Sequence, residues 1–224
     1  MKQAYFVTGT DTGVGKTLIA SALVYQFAQQ DLKSLGMKPI AAGCELVDGN
    51  FVNEDVTQLI AASNVQAPVK LVNPYAFAPP IAPHIAAQQA GATISLDVIA
   101  DAFMQLSALA DVVIVEGAGG FCVPLDDHAT MADLAVKLNI PVILVVGMRL
   151  GCINHALLTV EAIQSRGLKL AGWVANQLDP DMPVFEENIA TLKLQIKSPY
   201  LGMVPWSPQP LHQNTPALIS KLPI

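Results

Sequence analysis

The segment from Gly9 to Thr17 reads Gly-Thr-Asp-Thr-Gly-Val-Gly-Lys-Thr and lies between a short apolar run and a helical pattern. A glycine-rich turn at such a junction forms an anion site, because backbone N–H groups and the helix N-terminus surround a phosphate. Lys16 is then predicted to reach the β- and γ-phosphates of ATP or GTP, and Thr17 to ligate Mg²⁺. The match to G-x-x-x-x-G-K-[ST] is imperfect, since Thr10 stands at the first glycine position. An ordinary turn with a solvated lysine is the weaker alternative.

Strand and helix patterns alternate along the rest of the chain. The apolar run at residues 111–116 is typical of a strand that is covered on both faces. This alternation predicts an α/β fold with a mostly parallel sheet and helices on both faces. With the phosphate loop at 9–17 the fold is predicted to be of the P-loop NTPase type, and the lack of repeats and linkers predicts a single domain over residues 1–224. Segment 73–83 is predicted to be an ordered surface loop. The predicted strands are 5–8, 34–40, 111–116, 141–146, 170–175 and 200–204; the predicted helices are 17–30, 56–62, 96–109, 131–138, 153–166 and 184–196.

Charge and composition exclude several classes of protein. The net charge is −6, which disfavours a nucleic-acid-binding surface. The apolar runs are shorter than the ~18 residues of a membrane-spanning helix, so no membrane role is expected. Three cysteines at scattered spacing indicate neither a disulfide framework nor a metal motif. The N-terminal residues lack a signal-peptide pattern, and a cytoplasmic protein is predicted.

Three further charged residues are predicted to lie near the phosphate loop. Glu116 and Lys38 each end a predicted strand, and ligands of open parallel sheets bind outside the carboxyl ends of the strands. Glu116 suits Mg²⁺ coordination, with helix capping or solvation as the alternative. Lys38 could neutralise charge during phosphoryl transfer or could simply be solvated, and the pattern does not decide. Asp55 opens a predicted helix, where spacing alone favours an N-cap.

The turn at residues 150–155 opens another predicted helix. Its free N–H groups could receive a carboxylate. Cys152 and His155 resemble a nucleophile and a base, but no acid that would orient them is apparent. They are therefore assigned packing and capping roles.

Taken together, these segments resemble the dethiobiotin synthetase family from about residue 5 to residue 206. The resemblance rests on an ordered set rather than on any single motif. Its members are the variant phosphate loop at 8–17, Lys38-Pro39, Asn73-Pro74-Tyr75, residues 115–120, residues 150–155, residues 172–176 and Pro205-Trp206.

The resemblance implies a homodimeric, Mg²⁺- and ATP-dependent ligase. In that family CO₂ forms a carbamate on 7,8-diaminopelargonate, ATP phosphorylates it, and the second amine closes the ureido ring. Catalytic roles are implied for Lys16 and Lys38, and metal binding for Thr17, Asp55 and Glu116. Nucleotide contacts are implied for Gly13, Val14, Gly15, Lys16, Thr17, Asp55, Glu116, Asn176, Gln177, Pro205, Trp206 and Ser207. Substrate contacts are implied for Thr12, Lys38, Ala42 and Gly119, and, from the partner subunit, for Gly151, Cys152, Ile153 and Asn154.

Two positions depart from the family pattern. Family members often carry a hydroxyl residue where this chain has Ala42, and several carry Glu where it has Gly13. The first change is expected to raise KM, and the second to loosen the phosphate loop. The main alternative function is a partitioning-type ATPase switch, but such proteins usually carry a lysine where this chain has Asp11. An amidoligase and a small-molecule kinase rank lower.

Overall fold

Six parallel strands form the central sheet of the computed structural model, which describes residues 3–219 and 222. Their order is β10-β9-β8-β1-β7-β2, so the first strand of the chain lies in the interior of the sheet. Every neighbouring pair in this sheet runs parallel. The carboxyl ends of all six strands therefore meet at one edge, which confirms the predicted α/β class.

The described strands and helices have the following bounds. The strands are β1 (Gln3–Gly9), β2 (Ser34–Met37), β3 (Ile40–Ala42), β4 (Glu45–Val47), β5 (Asn50–Val52), β6 (Tyr75–Phe77), β7 (Val112–Glu116), β8 (Val142–Met148), β9 (Leu170–Gln177) and β10 (Tyr200–Val204). The helices are α1 (Lys16–Ala28), α2 (Glu54–Ala62), α3 (Val69–Val72), α4 (Pro83–Gln89), α5 (Leu96–Leu109), α6 (Met131–Leu138), α7 (Cys152–Ser165) and α8 (Phe185–Gln195), followed by a 3-10 turn at Thr215–Leu218.

The central strands are apolar because helices cover both faces of the sheet. All residues of β7 and β8 are buried. On one face α1 packs against the sheet through Ile19 and Leu23, with α2 beside it. On the other face lie α5 to α8, which contribute Ile99, Ala156 and Ile189 to the core. Burial on both sides explains why β7 and β8 read as continuous apolar runs rather than as alternating patterns.

The strand predicted at 34–40 is wrong in its second half. Strand β2 ends at Met37, and the Lys38 N–H donates to the Val72 carbonyl, 2.9 Å away, instead of continuing the sheet. Pro39 has no N–H to offer a ladder. The chain then enters β3, which pairs with β6 in a separate two-stranded sheet. Lys38 therefore lies at a sharp change of direction at the site edge of the main sheet.

The loop predicted at 73–83 is more structured than expected. It contains β6, whose Phe77 is buried, and it ends where Pro83 begins α4. A hairpin of β4 and β5 was not predicted either. It turns at Asp48-Gly49, where both residues have positive φ, 50° and 78°. Such a turn matches the twist of a two-residue hairpin.

The other predicted helices and strands are confirmed, with ends that differ by at most two residues. The largest differences are at the starts of β1 and α2 and at the ends of α1, β8 and β9. Within residues 3–219 and 222, none of the helices combines the length and the apolar character that a membrane crossing requires.

The N-terminus of α6 offers a test of local stability. The Asp133 N–H donates to Thr130 Oγ1 at 3.4 Å, and the Thr130 N–H donates to Asp133 Oδ2 at 2.7 Å. Thr130→Ala is expected to lower the free energy of unfolding by about 1 kcal/mol, measured by thermal denaturation. Thr191→Ala in α8 is the control, because its hydroxyl donates only to Glu187 O of the same helix. An equal loss in both variants would contradict the capping role.

Candidate active site

The phosphate loop joins β1 to α1 and has the backbone of an anion-binding turn. Gly13 and Gly15 have φ values of 71° and 88°, which favour glycine. Asn176 supports the loop from β9, because its Nδ2 donates to the Val14 carbonyl at 2.9 Å. A Cβ atom on Gly15 would lie 2.2 Å from that Nδ2. The glycine at 15 is therefore required both by the backbone and by its neighbour.

Lys16 begins α1 and points back across the loop. Its Nζ donates to the Asp11 carbonyl at 2.8 Å, and the residue is only 6% exposed. Burial, together with the nearby Lys38 ammonium, lowers the pKa of Lys16 to about 8. A strong anion beside this ammonium would favour its charged form, so the site is electrostatically suited to phosphate.

Lys38, Asp55, Glu116 and Thr17 form a polar cluster at the carboxyl ends of β2 and β7. Lys38 Nζ lies 2.6 Å from Glu116 Oε1 and 2.8 Å from Asp55 Oδ2. Thr17 Oγ1 lies 2.7 Å from Asp55 Oδ1 and 2.8 Å from Glu116 Oε1. The structure thus brings together four residues that are separated by up to 99 positions in the chain.

Burial and charge oppose each other in this cluster. Burial disfavours the charged form of Lys38, but the Glu116 and Asp55 carboxylates outweigh it and raise the pKa of Lys38. Burial would raise the pKa of Asp55, but Lys38 and Thr17 hold it below its usual value. Complete burial raises the pKa of Glu116, against the attraction of Lys38. Lys38 is therefore an ammonium held between two acids, not the solvated lysine of the alternative hypothesis.

The cluster fits a magnesium ion that keeps several of its waters. Glu116 Oε2 is buried and has no hydrogen-bond partner in the described part of the chain, which is unusual for a carboxylate oxygen. Two carboxylates and a hydroxyl are ligands that Mg²⁺ accepts beside substrate phosphates. Among residues 3–219 and 222, no group of three or more His, Cys, Asp or Glu side chains is placed to hold a metal. A site completed by water and phosphate therefore agrees better with these residues than a cage made of protein alone.

Two asparagines to which the sequence analysis gave no role hold the cluster in place. Asn53 caps α2, since its side chain accepts the Val56 N–H, and this frees Asp55 from the capping role that spacing favoured. Asn73 Nδ2 donates to Lys38 O at 2.6 Å and fixes the backbone there. The Asn before Glu-Asp was a detectable capping signal. The Asn73 contact spans 35 residues, and nothing in its neighbourhood of the sequence reveals it.

A cavity of about 690 Å³ opens over this cluster. Its floor is polar and carries Lys16, Lys38, Asp55 and Glu116. Much of its wall is apolar or backbone. The wall includes Ile40, Ala42, Pro80, Ile81, Ala82, Pro83, Ala118 and Val123, and Thr12 and Gly119 also line the cavity.

A second cavity of about 250 Å³ lies on the other side of the phosphate loop. Gly13 and Gly15 line both cavities, so a nucleotide in the loop could extend from one to the other. The Trp206 N–H donates to Gln177 Oε1 at 3.2 Å and joins the chain after β10 to the end of β9. The remaining lining residues are Leu18, Asn176, Gln177, Leu178, Pro205, Trp206, Ser207 and Pro210.

The turn before α7 lies outside both cavities. Gly151 has φ 93° and precedes the helix, and Leu150 is 99% exposed. The Cys152 N–H already donates to Arg149 O at 2.9 Å. Cys152 is buried, as its packing role predicts, but the capping role is wrong because α7 has no side-chain cap and His155 is exposed.

The fold and the site define a phosphate-loop (P-loop) nucleotide-binding protein of the α/β class. A family model described as an AAA domain matches residues 3–213. ATP-dependent dethiobiotin synthetases BioD from Nitrosospira multiformis and Xanthomonas axonopodis pv. citri are 54% and 48% identical to this chain. They cover 92% of it, and the matches span 89% and 92% of their own lengths. The chain belongs to the ATP-dependent dethiobiotin synthetase family.

Solved structures of other P-loop proteins share the fold. A ParA family ATPase from Chlorobium tepidum matches with a TM-score of 0.55 over 93% of this chain and 86% of its own. The septum site-determining protein MinD from Pyrococcus horikoshii, complexed with Mg-ADP, also matches with a TM-score of 0.55, over 93% and 83%. Both are 14% identical to this chain, so the likeness concerns the fold alone.

Proposed function

We propose that the chain joins CO₂ to 7,8-diaminopelargonate with consumption of ATP, and closes a ureido ring to give dethiobiotin, ADP and phosphate. The observation that carries this proposal is the position of Lys38. Its buried ammonium lies beside the phosphate loop, on the floor of a cavity whose wall is largely apolar. Such a cavity suits an aliphatic diamine whose carbamate meets the γ-phosphate of ATP.

The residues of the site would have two roles, which are to bind the nucleotide and to neutralise charge during phosphoryl transfer. Lys16 and the loop N–H groups would hold the β- and γ-phosphates, and Lys38 would neutralise the carbamate and the phosphoryl group in transit. Thr17, Asp55 and Glu116 would hold Mg²⁺, which supplies charge neutralisation at the phosphates when bound. A carbamic-phosphoric anhydride hydrolyses easily. Orientation and exclusion of water by the cavity wall therefore matter more than a strong base.

The two cavities support separate binding sites for the diamine and for the adenine of ATP. Thr12 and Gly119 face each other, since a Cβ on Gly119 would lie 3.6 Å from Thr12 Oγ1, and both are proposed to contact the diamine and its carbamate. Asn176, Gln177 and the segment 205–207 would hold the adenine in the smaller cavity.

A homodimer would complete the substrate site. The turn at 151–154 presents N–H groups that suit a carboxylate, but in one subunit it lines neither cavity. We therefore propose that the partner subunit supplies this turn. Because the Cys152 N–H is used within the turn, Gly151, Ile153 and Asn154 are the better donors. A cytoplasmic location is proposed with the enzyme.

The partitioning-type ATPase is not favoured as an alternative. Asp11 stands where such proteins usually carry a lysine, and the likeness to MinD and ParA proteins concerns the fold alone.

Mass spectrometry of the complete reaction tests the proposal. The purified protein is incubated with Mg-ATP, bicarbonate and 7,8-diaminopelargonate, and each component is omitted in turn. A cyclic urea formed only in the complete mixture, with equimolar ADP, is the expected result. ADP formed without the diamine, or a phosphorylated product without ring closure, would instead favour a switch or a kinase.

Ala42→Ser tests the substrate side of the cavity. Ala42 ends β3 and lines the cavity, and a hydroxyl there would lie on the wall that faces the substrate. One added hydrogen bond of about 0.5–1.5 kcal/mol is expected to lower KM for the diamine roughly two- to tenfold, with kcat changed less than about twofold. Ala78→Ser is the control, because Ala78 is exposed and does not line the cavity. An unchanged KM would place the substrate away from β3.

A further inference from the structure

One ion pair joins the phosphate loop to the turn before α7. Arg149 Nη2 donates to Asp11 Oδ2, across 138 residues of sequence. Both side chains are 47% exposed. An ion pair with this exposure contributes little to folding stability, because solvent screens it. Its location between two functional segments suggests another role.

Asp11 contacts two of the loop residues that line the larger cavity, Thr12 and Lys16. Its Oδ1 accepts the Thr12 N–H at 2.7 Å, and its main-chain carbonyl accepts the Lys16 ammonium at 2.8 Å. Movement of Asp11 would therefore displace both Thr12 and Lys16. The Thr12 N–H and then the Arg149 guanidinium hold the pKa of the Asp11 carboxyl below its usual value, against the effect of its partial burial. Lys16 on α1 and His155 on α7 are the other titratable groups that face Asp11.

Arg149 is attached to the second segment by its own backbone. Its carbonyl accepts the Cys152 N–H at 2.9 Å and closes the turn that precedes α7. A second link lies beside the ion pair, because the Gly147 N–H donates to Thr10 Oγ1 at 3.3 Å. The end of β8 and the residue after it thus hold two neighbouring residues of the phosphate loop, Thr10 and Asp11.

We propose that Arg149 is a positioning residue. Through Asp11 it fixes the position of the phosphate loop relative to the turn at 150–155. Its guanidinium orients Asp11, and Asp11 in turn orients Lys16 and Thr12. Its carbonyl fixes the start of the turn. The role of the turn in holding the substrate carboxylate rests on the proposed function, whereas the orientation of the loop does not.

Four variants of the full-length protein test this pair: Arg149→Met, Arg149→Lys, Asp11→Asn and the double variant Arg149→Met/Asp11→Asn. Asp11→Asn keeps an acceptor for the Thr12 N–H but removes the charge. Lys137→Met is the matched control, because the Lys137–Asp97 ion pair has similar lysine exposure, 45%, and lies between α5 and α6. The measurements are kcat, KM for ATP and for the diamine, Mg-ADP affinity by calorimetry, and Tm.

Arg149→Met is expected to lower kcat about tenfold, because small displacements of binding groups are costly for transfer reactions. Mg-ADP affinity should fall about fivefold, while Tm changes by less than about 2 °C. Arg149→Lys should recover most of kcat. Asp11→Asn should match Arg149→Met, and the double variant should be no worse than either single one, since the two residues act as a unit.

Several results would overturn the proposal. They are a kcat and a Mg-ADP affinity within twofold of wild type in Arg149→Met, additive losses in the double variant, or losses in Lys137→Met of the same size. A fall in Tm that parallels the fall in kcat would show a structural role. If the wild-type protein forms no cyclic urea, the proposed function fails. Mg-ADP affinity then still tests whether Arg149 orients the phosphate loop. Equal weakening of Mg-ADP binding in Arg149→Met and Asp11→Asn supports that role, and unchanged binding refutes it.

Discussion

Replacement of Lys16 by alanine is expected to reduce nucleotide-dependent turnover at least about 100-fold. The Lys16 ammonium is buried and directed across the phosphate loop, where it donates to the Asp11 carbonyl. Burial lowers the pKa of Lys16 to about 8, which means that the charged form of this side chain is destabilised. A phosphate beside the ammonium would stabilise that charged form. Loss of this side chain would remove the cation that is proposed to hold the β- and γ-phosphates. The measurements are single-turnover ADP formation and calorimetric Mg-ATP binding.

Lys169→Ala is the matched control for this variant. Lys169 is exposed and directly precedes β9, so it lies at the amino ends of the strands, on the side of the sheet opposite the phosphate loop. It should keep the wild-type rate and affinity. Wild-type turnover in Lys16→Ala, with an unchanged Tm, would refute the assignment of residues 9–17 as the phosphate loop.

The phosphate loop and the central sheet were predictable from local sequence. A Gly-Lys-Thr at a strand-to-helix junction has few structural uses other than binding phosphate, and the runs at 111–116 and 141–146 are apolar because both faces of the sheet are covered. The rule that ligands bind at the carboxyl ends of parallel strands then placed Lys38 and Glu116 near Lys16. Their shared cavity confirms that placement.

The contacts that hold Lys38 and Lys16 in place were not predictable from local sequence. Lys38 is held by Asn73, and Lys16 shares its acceptor residue Asp11 with Arg149. These contacts join residues 35 and 138 positions apart. They depend on how loops meet in space, and no periodic pattern encodes them. The resemblance to a family pointed to several segments that line the two cavities, but only the geometry shows which residues hold one another.

Two local signals in the sequence indicate structure that the helix and strand patterns did not predict. Asp48-Gly49 between two β-rich triplets is typical of a two-residue hairpin, and the hairpin of β4 and β5 turns there. Asn53 directly follows it and caps α2. An N-cap at 53 would have placed Asp55 inside the first turn of the helix, with its carboxylate available for Thr17 and Lys38.

Lys38→Met is expected to lower kcat at least about 100-fold while Mg-ATP affinity changes less than about threefold. Lys38 does not belong to the phosphate loop, but its ammonium lies on the floor of the cavity where carbamate and γ-phosphate are proposed to meet. Methionine keeps the length and the apolar stem of the side chain and removes only the charge. Steady-state kinetics and calorimetry measure the two effects separately.

The same substitution should also change how the protein responds to Mg²⁺. Without the ammonium, the buried Glu116 and the partly exposed Asp55 lose their common cation, at an expected cost of about 3 kcal/mol in the free energy of unfolding. Mg²⁺ alone should then raise the Tm of Lys38→Met more than that of the wild type, because the two carboxylates can take a divalent cation in place of the lysine. Lys38→Met with unchanged kcat and an intact fold would restrict Lys38 to a structural ion pair. An equal Mg²⁺ response in both proteins would argue that Asp55 and Glu116 do not share the metal.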